Sequence, residues 1–281
     1  MSHVEFAPLL RERIREQHEF EHEKSESYGF ARGDYTADEL VLWYHPDRQI
    51  GDHKLKGREV FLADHLQTLL AQRGGDRPVV ALDIGGGIGM SWLRLGGVFR
   101  GEIETGRLVL AVTNLDEISR YNILKNHADQ AGLYDAEELF AKNGDLINYL
   151  TTTFSLLHKQ VVTTPGGSSL PLKGNTSLVH EKRSLTLWTE VPEIHIHRVG
   201  QLLTDDGLFI TRPRAEAKRN LESVRYDLPG SKWYGVELAQ RALEATFGLT
   251  RHAEVQTGAK TGVPLRELMF AAPHAPLIRI D

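Results

Sequence analysis

Short apolar runs alternate with stretches of helical period along the chain from residue 79 onward. The run at 79–84 is almost continuously apolar, which is typical of a strand buried on both faces of a sheet. Further strands are predicted at 108–113, 160–163, 177–180, 207–211, 252–256 and 266–271, and helices at 189–206 and 236–248. This alternation favours an α/β fold in which a mostly parallel sheet carries helices on both faces.

The first third of the chain has a different pattern. A helical period surrounds Phe6 to Ile14, turn formers and aromatic residues fill 25–48, and a second helical stretch covers about 57–72 before the stop signals Gly74, Gly75 and Pro78. We therefore expect a helical N-terminal cap or lid at 1–72 and an α/β domain at 73–281. A helical insertion at 118–158 would separate the second strand of this domain from the third.

Four glycines follow the first strand of the α/β domain, in the sequence DIGGGIG at 83–89. Ligands of open α/β sheets bind at this position, where a strand ends and a helix begins. The absent side chains would let a ligand approach the main chain, and the helix N-terminus would offer free N–H groups. A dinucleotide fingerprint needs a third glycine where Met90 stands, and the Lys-Ser/Thr pair of a P-loop is missing. Neither phosphate-binding motif fits.

The spacing acid-x-Gly-x-Gly-x-Gly from Asp83 to Gly89 resembles motif I of the class I S-adenosylmethionine (SAM) dependent methyltransferases. The likeness extends along about 79–272: 168–188 looks like that family's third-strand loop and fourth strand, and 199–211 looks like its helix, turn and fifth strand. The resemblance implies a Rossmann-like sheet of seven strands with the last one antiparallel. It also implies S-adenosyl-L-methionine as the cofactor.

The resemblance implies a set of site residues as well. The cofactor-binding candidates at the first strand are Asp83, Gly85, Gly86, Gly87 and Gly89. Asn114 or Asp116 would take the place of the family's ribose-binding acid after the second strand, and Thr163, Thr164 or Ser169 would face the adenine. The catalytic candidates are His180 and Glu181 at the end of the fourth strand, and Tyr28 in the cap is added because its aromatic ring could line a substrate pocket. Two alternatives stay open, namely that His180 is a buried structural histidine and that Asp116 caps a helix.

Composition narrows the classes of partner and location. The chain has no cysteine, which excludes disulfides, thiolate metal ligands and a cysteine nucleophile and permits a cytoplasmic location. Its net charge of −5, without a basic cluster, argues against a nucleic-acid partner. No signal peptide or membrane span is expected. His18 and His22 match the zinc pattern H-E-x-x-H, but they lie in a charged helix, so no metal site is expected.

The expected function is methyl transfer from SAM to a small molecule, in the biosynthesis of a secondary metabolite. One alternative keeps SAM but attacks its aminobutyrate arm, by cyclisation to a four-membered ring amino acid or by aminocarboxypropyl transfer, with release of methylthioadenosine. A second alternative is a SAM-binding partner protein without turnover, and a third is a nicotinamide oxidoreductase, which Met90 disfavours. The oligomeric state is open, with a homodimer as one arrangement.

Overall fold

The structure is a computed structural model that describes residues 53–55, 58–60, 62–75, 77–86, 89–114, 134–182, 198–212, 227–228, 231–232, 250–257 and 265–277. The strands are β1 His53–Leu55, β2 Arg58–Val60, β3 Val79–Ile84, β4 Leu108–Asn114, β5 Ile147–Thr151, β6 Val161–Thr163, β7 Ser169–Pro171, β8 Thr176–Lys182, β9 Leu203–Arg212, β10 Asp227–Leu228, β11 Ser231–Lys232, β12 Thr250–Thr257 and β13 Leu265–Ala271. The helices are α1 Leu62–Arg73, α2 Met90–Val98, α3 Arg100–Glu104 and α4 Tyr134–Asn143, with 3-10 turns at Gly144–Leu146 and Phe154–Lys159.

Seven of the described strands form one sheet in the order β12-β13-β9-β8-β3-β4-β5. The five strands from β9 to β5 are parallel to one another, while β13 is antiparallel to both β9 and β12. This arrangement confirms the predicted Rossmann-like sheet with an antiparallel last strand. Strands β4 and β5 lie on one side of β3, and the later strands β8 and β9 lie on its other side, so the strand order reverses at β3. The carboxyl end of β3 is therefore the topological switch point, where sheets of this kind bind ligands.

Alternating strand residues divide the core between the two faces of the sheet. The first face is covered by α1 and α2 and includes Val79, Ala81, Leu110, Val112, Leu178 and Ile210 with Trp92 and Leu93. The second face includes Val80, Leu82, Ala111, Val179 and Phe209, packed against Leu157, Val162, Leu172, Val199 and Leu202. Because β3 is buried along its whole length, the glycine turn that follows it starts from a rigid base.

The third strand of the sheet differs from the prediction. It is β5, Ile147–Thr151, whereas the predicted strand at 160–163 is β6, which forms a separate two-stranded hairpin with β7. The predicted helical insertion at 118–158 therefore contains a strand of the main sheet. β5 lies at the edge of the sheet and is only half-buried over most of its length, so it lacks the continuous apolar run that identified β3.

The segment before the predicted domain boundary packs with the α/β domain. Residues 57–72 were expected to be helical, but β1 and β2 form an antiparallel pair and α1 begins only at Leu62. The buried residues of α1 belong to the core of the first face, and Arg73 at its end binds the backbone oxygen of Pro78 and the carboxylate of Asp206. Most of the predicted cap at 1–72 lies outside the described residues, so this domain division remains a prediction.

The end of one predicted helix differs from the structure. The predicted helix at 189–206 is helical at 198–202 but has already become β9 at Leu203, so its end was placed four residues too late. Among the described helices, none has the length and apolar character needed to cross a membrane.

Candidate functional site

Two of the described residues in the glycine turn between β3 and α2 have a left-handed backbone. Gly85 has φ 65° and Gly89 has φ 70°, a conformation that side chains other than hydrogen disfavour. The Gly89 N–H donates to the Gly86 carbonyl at 2.9 Å, and the Leu93 N–H donates to the Gly89 carbonyl at 2.7 Å. The turn therefore closes tightly and leads directly into α2.

Gly86 and Gly89 also make room for the protein's own side chains. A Cβ atom added to Gly86 would lie 2.8 Å from Asp83 Cγ, and one added to Gly89 would lie 2.8 Å from Val112 Cγ2. The missing side chains were expected to make room for a ligand. At these two positions the structure provides an internal reason, which no single-sequence pattern could reveal. Gly87 lies outside the described residues.

Asp83 and His180 form a buried pair at the carboxyl end of the sheet. They stand opposite each other on the parallel strands β3 and β8, so their side chains share the first face. The His180 Nδ1–H donates to Asp83 Oδ1 at 2.9 Å, since a carboxylate can only accept. Asp83 is 6% exposed and His180 is 2% exposed. Both side chains are therefore held within the packed core, directly behind the glycine turn.

Trp92 of α2 covers this pair. Its indole ring stacks on the His180 imidazole with 5.4 Å between ring centroids and an interplanar angle of 28°. The indole N–H donates to the Ala81 carbonyl at 3.1 Å, which fixes the ring relative to β3. One continuous contact path therefore joins α2, β8 and β3 behind the turn.

Glu181 lies on the opposite face of the sheet from His180. The side chain is fully buried, and its Oε2 accepts a short hydrogen bond from the Thr211 hydroxyl of β9. Consecutive residues of a strand point to opposite faces, so the two catalytic candidates at the end of β8 do not converge on one point. Tyr28, the third catalytic candidate, lies outside the described residues.

The end of β4 is tied to the glycine turn. The Gly85 N–H donates to the Thr113 hydroxyl at 3.2 Å, and that hydroxyl donates to the Asp83 carbonyl at 3.4 Å. Asn114 follows as the last residue of β4, is half-buried, and accepts the Thr152 N–H on its carbonyl at 2.9 Å. Asn114 directly follows Thr113 at this end of β4, and its contact with the ribose stays a prediction, whereas Asp116 lies outside the described residues.

Thr164 and Ser169 occupy a different place from the one predicted. They were chosen as residues after the third strand, but they belong to the β6–β7 hairpin, where Ser169 pairs with Thr163 and is exposed. Thr164 closes the hairpin turn, because its N–H donates to the Ser168 carbonyl at 2.9 Å. The residues that follow the true third strand are Thr152 and Thr153. The reason for assigning Thr164 and Ser169 to the adenine is therefore wrong.

The charges at the turn favour a cationic ligand group. Asp83 is the only ionisable residue between Val79 and Leu93, so this segment of the sequence contains no lysine or arginine. A carboxylate attracts an ammonium or a sulfonium and repels a phosphate. In the part of the chain that the structure describes, no three His, Asp or Glu residues are grouped closely enough to hold a metal ion.

No protein-family model matches this sequence, and no curated protein matches it either. Among solved structures, the chain is similar to a SAM-dependent methyltransferase from Aquifex aeolicus, with 12% identity, a TM-score of 0.44, and coverage of 85% of this chain and 100% of that chain. It is also similar to the 1,6-didemethyltoxoflavin-N1-methyltransferase of Burkholderia thailandensis, with 15% identity, a TM-score of 0.42, and coverage of 84% and 86%. A third is the geranyl diphosphate C-methyltransferase of Streptomyces coelicolor A3(2), with 12% identity, a TM-score of 0.41, and coverage of 73% and 75%. These likenesses concern the fold.

Proposed function

We propose that the protein binds SAM at the carboxyl end of β3 and transfers its methyl group to a small molecule in a biosynthetic pathway of secondary metabolism. The observation that carries the proposal is the coincidence of three features at one point. The sheet order reverses at β3, a glycine turn follows that strand, and the carboxylate of Asp83 lies behind the turn.

The chemistry of SAM agrees with these features. SAM carries a sulfonium and an ammonium and has no phosphate, so a carboxylate beside a glycine turn suits it. A nicotinamide cofactor would bring a pyrophosphate to the same turn, where Asp83 would repel it and Met90 occupies the place of the third glycine. SAM is preferred over a nicotinamide cofactor because Asp83 attracts the positive groups of SAM and repels a pyrophosphate.

The described residues would contribute binding and alignment to the reaction. SAM supplies a methyl group on a sulfur that is already a good leaving group, so the displacement needs an in-line acceptor and exclusion of water. Asp83 would attract the ammonium, the turn from Gly85 to Gly89 would admit the methionine part, and Asn114 would contact the ribose. A base is needed only where the acceptor must lose a proton. No such base is assigned to His180, because its ring lies under Trp92 and is bound to Asp83.

A small-molecule acceptor is preferred over a nucleic acid. The net charge of −5 and the absence of a basic cluster in the sequence do not provide the electrostatic attraction that a polyanion requires.

Mass spectrometry of the nucleoside products tests this proposal. The purified protein would be incubated with SAM alone, and then with SAM and the low-molecular-weight fraction of a cell extract. S-adenosylhomocysteine that forms only with protein and extract together is the expected result. Methylthioadenosine in the reaction without extract would instead identify attack on the aminobutyrate arm. Unchanged SAM in every reaction would contradict turnover and favour a binding protein.

A further inference from the structure

The buried pair of Asp83 and His180 assigns a role to His180 that differs from acid–base catalysis. His180 is 2% exposed, its ring stacks on Trp92, and its Nδ1–H is committed to Asp83 Oδ1 at 2.9 Å. A catalytic base must come within hydrogen-bond reach of the proton that it removes. The enclosed His180 side chain can therefore influence a ligand only through the side chain that it binds, the Asp83 carboxylate behind the glycine turn.

The hydrogen bond from His180 fixes which carboxylate oxygen faces the turn. With Oδ1 bound to Nδ1, the other oxygen, Oδ2, is the atom of Asp83 nearest to the place where a Gly86 Cβ would be. Gly86 is half-buried and Gly85 is exposed, so this side of the carboxylate leads toward solvent. The hydrogen bond therefore fixes the orientation of the carboxylate.

We propose that His180 is a positioning residue, which holds Asp83 so that Oδ2 faces the ammonium group of an amino acid-bearing nucleoside ligand. This inference rests on the proposed function, because SAM and S-adenosylhomocysteine both carry that ammonium. It makes a specific claim about selectivity: His180 controls recognition of the amino acid arm and has no effect on recognition of the adenosine.

The test compares two nucleoside ligands, of which only one has the amino acid arm. S-adenosylhomocysteine has the ammonium, whereas methylthioadenosine has the adenosine and no amino acid. Their affinities would be measured by isothermal titration calorimetry for the wild type and for His180→Phe, which keeps an aromatic ring against Trp92 and removes the donor. His180→Asn is the matched control, because its amide nitrogen lies near the place of Nδ1.

We expect His180→Phe to weaken S-adenosylhomocysteine binding by roughly tenfold or more, as loss of a hydrogen bond to a charged group implies. Methylthioadenosine binding should stay unchanged, and His180→Asn should restore most of the S-adenosylhomocysteine affinity. Equal loss for both ligands would reveal a merely structural role and overturn the proposal. Unchanged affinity of His180→Phe for S-adenosylhomocysteine would overturn it as well.

A second pair of variants decides the matter if circular dichroism shows that His180→Phe is unfolded. His180→Gln extends its amide toward the place of Nε2, away from Asp83, while His180→Asn keeps it near Nδ1. The Asn variant should bind S-adenosylhomocysteine more tightly than the Gln variant, with equal affinity for methylthioadenosine. Equal S-adenosylhomocysteine affinities would refute the positioning role. Failure of the proposed function is distinguishable, since the wild type would then bind neither SAM nor S-adenosylhomocysteine.

Discussion

Substitution of Gly86 by alanine tests whether this glycine is required by the Asp83 carboxylate. The Cβ atom would lie 2.8 Å from Asp83 Cγ and 3.0 Å from Val112 Cγ1. The φ of Gly86 is not in the left-handed region, so alanine adds a steric contact without backbone strain. To relieve the contact, the carboxylate must move and lose its hydrogen bond from His180. We expect Gly86→Ala to lower the free energy of unfolding and the affinity for S-adenosylhomocysteine.

The expected magnitude has two parts. Overpacking of a core costs about 1–3 kcal/mol. Loss of a buried hydrogen bond to a charged group costs about 1.5–3 kcal/mol. Because the carboxylate can partly relax, we expect a destabilisation of about 2–4 kcal/mol for Gly86→Ala. Asp83→Ala removes Cγ and both oxygens, so in a protein that carries this substitution the Gly86→Ala Cβ would contact only Val112. The destabilisation by Gly86→Ala should then be below about 1 kcal/mol.

The assay is a double-mutant cycle by urea denaturation, followed by circular dichroism. Wild type, Gly86→Ala, Asp83→Ala and the double variant would be compared, and the coupling should be about 1–3 kcal/mol. Gly101→Ala is the matched control, because Gly101 lies in α3 and an added Cβ would meet nothing within 4 Å. An equal cost of Gly86→Ala in both backgrounds would refute the steric argument, since the carboxylate would then not be the group that excludes the side chain.

Two further predictions concern contacts outside the turn. Burial acts to raise the pKa of Asp206, but hydrogen bonds from Arg73 and Thr204 and the charge of Arg73 outweigh it, so the pKa lies below its ordinary value. A carboxyl group whose pKa is lowered by folding stabilises the fold at pH values above its unfolded-state pKa, and this stabilisation is lost as the pH falls through its folded-state pKa. Asp206→Asn should therefore lower the melting temperature at neutral pH, and the difference from the wild type should shrink below about pH 4. Asn148 of β5 accepts the Thr163 N–H on Oδ1 at 2.8 Å and donates from Nδ2 to the Thr163 carbonyl at 3.1 Å. Hydrogen exchange of the Thr163 amide should accelerate in Asn148→Leu and stay slow in Asn148→Asp, which keeps an acceptor. Slow exchange in both variants would show that this amide is protected by another group.

The buried strand β3 was predictable from the sequence, while the edge strand β5 was not. β3 was predicted with its observed bounds, because every residue of it is buried and the apolar run shows this. β5 has one neighbour in the sheet and is only half-buried over most of its length, so it lacks a continuous apolar run and its pattern did not distinguish it from the surrounding helical segment. The turn formers Pro165, Gly166 and Gly167 stand between β6 and β7, and they were the available signal for a hairpin there.

The motif identified the glycine turn and Asp83, but the partner of Asp83 depends on register. His180 is 97 residues away along the chain and reaches Asp83 only because β3 and β8 pair with these two residues opposite each other. A shift of one residue would have placed Glu181 beside Asp83. Pairing of this kind follows from the whole sheet and is not contained in a local pattern. The same holds for Gly86, whose steric neighbour is a side chain fixed by that pairing.

Calorimetric titration of the wild-type protein with SAM, and separately with NAD, tests the central claim most directly. The account predicts saturable heat with SAM and none with NAD, because the turn presents a carboxylate and lacks a phosphate-binding motif. Tight binding of NAD without any response to SAM would contradict the proposed site and, with it, the assignment of methyl transfer.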